Sequence, residues 1–172
     1  MRRVAAFAFS GFAALSACNR TGPDPAIPFN PSEAAFIRAS GKGTIEGQAF
    51  LRDKHGQVSV RYAAGELVRL VPATAYAQAR FAQFYGEKKF VPATSIPRID
   101  PDPEYASYTR TTKAGSTGRF TFDNVAPGRY FVASQLTWTP KGEWLQEGGA
   151  MYEEVVVTGK ETASIEVVLS GN

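Results

Sequence analysis

One cysteine and one histidine are all that the 172 residues hold of the two side chains most often found at zinc and nucleophilic centres. Cys18 has no second thiol to pair with, so an intrachain disulfide is excluded and a folded domain must be held by its core alone. His55 stands in a turn cluster, Asp53-Lys54-His55-Gly56, with no other imidazole or thiolate to join it. That argues against zinc, and no motif supports a Ser-His-Asp arrangement. Long apolar runs are lacking too. Val4 to Leu15 is apolar apart from Ser10 and Gly11, yet its 12 residues fall well short of the ~20 a helix needs to cross a bilayer. An excess of one charge is also missing. The formal net charge is +3, and removing Arg2 and Arg3 leaves 17 basic against 16 acidic side chains. No basic run is longer than a pair such as Lys88-Lys89, so nucleic acid is not an expected partner.

What the N-terminus does have is ordered like an export signal. Met1-Arg2-Arg3 is a positive start, the 12-residue apolar core follows, and small residues lead to the only cysteine. Leu15-Ser16-Ala17-Cys18 resembles a bacterial lipobox. The resemblance implies a signal peptide over 1–17, removed on processing, and a lipidated Cys18 whose acyl chains anchor the mature protein to a membrane. Two or more chains hold stably where one holds marginally. Asn19 stands where an Asp retains many Gram-negative lipoproteins at the inner membrane, which points to the outer membrane, facing the periplasm.

Residues 18–42 read as a tether. Gly22, Pro23, Pro25 and Pro28 offer little apolar surface and stiffen the backbone. A short helix is expected near its end, with Asn30 as cap, Pro31 at the first helical position and Glu33 three residues after the cap.

From Gly43 the pattern switches to period two. Ile45, Gly47, Ala49 and Leu51 fall on one side of an expected strand, opposite Thr44, Glu46, Gln48 and Phe50. Further strands are expected over 58–62, 67–71, 108–113, 119–122, 130–135, 152–158 and 163–169. Ala114 to Gly118 reads as a turn. Ala126-Pro127-Gly128-Arg129 suits a type II turn, with proline at the first central position and glycine at the second. Several short strands at this spacing indicate a sandwich.

Two segments carry a more specific likeness. Gly43-Thr44-Ile45-Glu46-Gly47, and the run from Thr117 through Phe120, Phe122, Pro127, Gly128 and Tyr130 to Val132, resemble carboxypeptidase regulatory-like domains. The resemblance covers about 43–72 and 107–170. It implies a mainly β fold, a transthyretin-like Greek-key sandwich of seven strands occupying 43–172. It also implies a structural or binding role without peptidase activity. Residues 73–106 depart from it as a helix-and-loop insertion. Ala77, Phe81, Phe84 and Tyr85 recur at helical spacing, so Thr74 to Tyr85 reads as an amphipathic helix stopped by Gly86. Pro92, Pro97, Pro101 and Pro103 make the remainder a loop. The helix either lays its aromatic stripe over a sheet or forms a groove with the loop and sheet edge.

No catalytic residue and no cofactor are expected. Asp100, Asp102 and Glu104 cluster without the calcium-loop pattern, and Gly41-Lys42-Gly43 and Gly115–Gly118 lack that of a phosphate loop. Tyr76, Arg80 and Trp144 are the candidates for a binding surface. Trp138 and Trp144 flank the loop Thr139-Pro140-Lys141-Gly142-Glu143, with Trp138 expected in the core and Trp144 exposed. The expected function is a membrane-anchored structural or protein-interaction module of the envelope, its partner an unknown envelope protein. The alternative is a carbohydrate-binding module in which Trp144 stacks on a sugar.

Overall fold

The computed structural model describes residues 27–53 and 60–171; Cys18 and His55 lie outside them. In chain order the elements are a short helix α1 (Pro31–Ala34) continuing as a 3-10 turn (Ala35–Arg38), then β1 (Gly43–Arg52), β2 (Val60–Tyr62), β3 (Leu67–Pro72), α2 (Ala75–Tyr85), β4 (Phe90–Pro92), β5 (Arg110–Lys113), β6 (Arg119–Val125), β7 (Gly128–Trp138), β8 (Glu147–Val157) and β9 (Ile165–Leu169). Further 3-10 turns cover Ala93–Ser95 and Tyr105–Tyr108.

The protein is mainly β, and its strands form two sheets packed as a β-sandwich. In the four-stranded sheet β1 is central. β6 runs antiparallel beside its first half and β9 parallel to it. The Ala49 N–H donates to the Gly118 carbonyl, and its carbonyl accepts from the Ala63 N–H. Both groups of one strand residue point to the same edge, so β2 continues the column that β6 begins. The five-stranded sheet has the order β4-β8-β7-β3-β5. Its neighbours are antiparallel, and the long β7–β8 hairpin is its backbone.

Alternation builds the core as the period-two pattern requires. Ile45, Ala49 and Leu51 of β1 meet Phe120 and Phe122 of β6, Val68 and Leu70 of β3, and Tyr130 and Val132 of β7. Nine strands are present among the described residues, against the seven the resemblance implied. The two shortest, β2 and β4, have three residues each, and β2 falls within the strand expected over 58–62. β4 arises inside the 73–106 segment, which adds a short edge strand to β8 on its way back.

The Ala126–Arg129 corner corrects the type II turn. Gly128 has φ 159°, far from the roughly +80° that a type II turn places at its second central residue. Glycine is required there because the Phe36 ring lies against it, and an added Cβ would come within 2.4 Å of that ring. Tyr130 then returns to the corner and donates its hydroxyl to the Ala126 carbonyl at 2.7 Å. One residue thus ties the turn to the centre of the core, where its ring is wholly buried.

Candidate functional site

Both faces of the five-stranded sheet are covered. Phe131 and Ala133 of β7 point away from the sandwich core, together with Val71 of β3 and Ala150 of β8. Helix α2 closes over them. It begins where expected: Thr74 is the cap, its hydroxyl accepting from the Ala77 N–H at 3.2 Å. It ends at Gly86, whose φ is 63°. Its aromatic stripe faces the sheet, with Phe81 stacked on Phe131 at 4.3 Å between ring centroids and Tyr85 against Tyr152 at 4.4 Å. The covering helix of the sequence reading is therefore present, and so is a groove.

That groove is a cleft of about 380 Å³. Its floor is the outer face of the sheet, with Arg69 and Val71 from β3, Thr111 from β5, Ala133 and Gln135 from β7, and Ala150 from β8. One wall is α2, through Arg80, Phe81, Phe84 and Tyr85. The opposite wall is the proline-rich segment, through Pro101, Tyr105 and Ala106. The hollow exists because the floor steps down to the methyl groups of Ala133 and Ala150, beside the large rings of Phe131 and Tyr152.

The polar groups of this cleft have a consistent character. Arg80 donates from Nη2 to the Ile99 carbonyl at 2.9 Å, which fastens the loop to the helix. Its guanidinium carbon lies 5.7 Å from the centre of the Tyr105 ring. Burial holds the Tyr85 and Tyr105 phenols well above their ordinary pKa, and Tyr152 adds to the effect at Tyr85. Arg69 pulls both in the opposite sense, and Arg80 does so at Tyr105, without reversing it. Both phenols stay protonated at neutral pH and can donate hydrogen bonds.

The N-terminal arm braces the loop wall. Phe29 contacts Tyr76, Tyr105 and Tyr108 at 5.4–5.8 Å between centroids. Arg38 stacks on Tyr108 at 3.8 Å. Glu33 accepts from the Ala75 N–H at the start of α2, at 3.3 Å. Ala34 and Ile37 are buried. The expected helix is formed, with Asn30 accepting from the Ser32 N–H. Residues 29–38, at the end of the segment read as a tether, are packed onto the domain.

The three candidate surface residues do not form one surface. Arg80 lines the cleft. Tyr76 is 3% exposed and is corrected from a surface residue to a support. Its ring backs Tyr105 at 5.2 Å, and its hydroxyl accepts from the Asp102 N–H at 2.7 Å. Trp144 is 84% exposed at the tip of the β7–β8 hairpin and lines neither the cleft nor a second hollow of about 260 Å³ beside Trp138. Trp138 is half-buried against the core, with Arg61 over its ring at 4.8 Å. Sequence reasoning missed Arg69 and Tyr105. Arg69 alternates with Val68 and Leu70 and so had to point outward, a usable signal; Tyr105 lies in a proline-rich stretch without periodicity. Among the described residues, no three of His, Cys, Asp and Glu come together as a metal site. No helix there is long and apolar enough to cross a membrane.

No family model and no curated protein matches the sequence. A solved structure does. The crystal structure of a "putative carbohydrate binding protein" from Pseudomonas aeruginosa superposes with a TM-score of 0.68 at 31% identity. The match covers 83% of this chain and 97% of that one. The chain belongs to the same family. Within that family the β-sandwich is common ground over nearly the whole of the Pseudomonas protein.

Proposed function

We propose that the protein is a non-catalytic saccharide-binding module of the bacterial cell envelope, and that the cleft between α2, the proline-rich segment and the five-stranded sheet is its binding site. The cleft carries this reading. Its volume suits one or two sugar rings, its walls offer aromatic faces, and Thr111, Gln135 and the two tyrosine hydroxyls can serve ring hydroxyls. Kinship with the Pseudomonas protein supports the same ligand class. The carboxypeptidase regulatory-like resemblance fits it too. Without the three-residue β2 and β4 seven strands remain, the number of a transthyretin-like sandwich, and that count supports assigning the Greek-key arrangement. Processing before Cys18 and lipid attachment there would place the module at the outer membrane, facing the periplasm.

The test is a glycan array followed by calorimetry on the best binder. Tyr105→Ala is expected to weaken binding by about tenfold or more, from loss of a stacking face and a donor. Trp144→Ala is expected to leave it unchanged. The reverse pattern would move the site to the hairpin tip.

A second reading keeps the tip. Trp144 and Leu145, 84% and 47% exposed, form an apolar point suited to an envelope protein rather than to a sugar. Cross-linking in intact envelopes that is lost with Trp144→Ala would support it.

A further inference from the structure

We infer that the cleft selects an acidic saccharide, one whose ring carries a carboxylate, over its neutral counterpart. The inference rests on the saccharide-binding reading above and adds the charge of the ligand.

Two guanidinium groups, Arg69 from the floor and Arg80 from the helix wall, border the cleft, and no carboxylate lines it. Neither arginine takes part in an ion pair among the described residues. The acidic side chains of the neighbouring loop do not compensate them. Asp100, Asp102 and Glu104 are absent from the lining, and Asp102 is engaged in accepting the Glu104 N–H at 2.8 Å. Arg80 is also incompletely used. Its Nη2 is satisfied by Ile99, while its Nη1 is buried with no hydrogen-bond partner. A buried donor left unpaired is costly, and on a cation it is best met by an anionic oxygen. A guanidinium presents a planar fork that fits a carboxylate in two parallel hydrogen bonds. The surroundings also favour that geometry. A saccharide seated between the aromatic walls would displace water from around the two guanidinium groups, so a charge-assisted bond formed there is less screened than at the open surface. With one overall unit of positive charge after export processing, the protein as a whole has no general attraction for polyanions, and the preference is local to this site.

The experiment compares an oligogalacturonate with its carboxyl-reduced, neutral counterpart by isothermal titration calorimetry, on the soluble chain from residue 19 onward with Arg69→Gln and Arg80→Gln beside it. Circular dichroism melts check that each variant is folded; Arg69 is exposed on a strand, so its variant serves if Arg80→Gln does not fold. The expected result is binding of the acidic oligomer at least tenfold tighter than the neutral one, with each substitution removing roughly tenfold from the acidic oligomer and little from the neutral one. Equal binding of the two oligomers, unaffected by either substitution, would overturn the charge selection while leaving the saccharide reading in place. Binding of neither, together with an empty glycan array, would overturn both.

Discussion

Tyr130 shows how much one side chain can fix. Its ring fills the centre of the sandwich with no exposed area, its hydroxyl holds the Ala126 carbonyl, and Phe36 packs on it at 5.3 Å. Burial pushes its phenol up to about 12, against a small opposing pull from Arg110. A group whose folded pKa is raised adds stability that is complete below the unfolded pKa of 10.0 and is lost as pH climbs toward the folded one. Tyr85 and Tyr105 are displaced in the same direction. Stability should therefore hold through neutral pH and fall between pH 10 and 12. Urea melts across that window should show the decline, and Tyr130→Phe should make it shallower.

Helix α2 owes its place to packing more than to local preference. Eleven residues make a marginal helix in water, so its docked face has to supply what the peptide alone cannot. Phe81 does most of that work, held between Phe131 at 4.3 Å and Tyr152 at 5.0 Å. Phe81→Ala should cost about 3–5 kcal/mol, measured by denaturant unfolding, and should open the cleft wall as well. The helix was legible in the sequence from the spacing of Ala77, Phe81, Phe84 and Tyr85 and from Thr74 and Gly86 at its ends. The sheet face it covers was not, because several strands carry apolar residues on both sides. Phe131 and Ala133 alternate with Tyr130 and Val132, and only the tertiary arrangement decides which pair meets the other sheet. The turn type at Gly128 was not legible for a similar reason: glycine's lack of a side chain makes room for Phe36, a residue 92 positions earlier in the chain, and the φ of 159° is not that of a type II turn.

At the scale of the molecule, the sandwich followed from alternation and the cleft did not. Strands β1, β3, β6 and β7 announce themselves by period two, whereas a cleft needs the relative placement of three segments that no local pattern encodes. The N-terminal arm braces the loop wall of the cleft from behind. Its prolines suggested a linker, yet Phe29, Phe36 and Ile37 find seats on the domain. Phe29→Ala should lower the melting temperature by a few degrees, since one partly buried ring is lost from a domain of this size. It should also weaken saccharide binding by loosening Tyr105, a loss that calorimetry would register. The arm gives the domain a mechanical property as well. Phe29, the first ring of the described arm, rests against the same tyrosine that walls the cleft. Were the arm pulled from its N-terminal side, as a lipid anchor at Cys18 would pull it, the strain would reach a wall of the cleft through this aromatic contact.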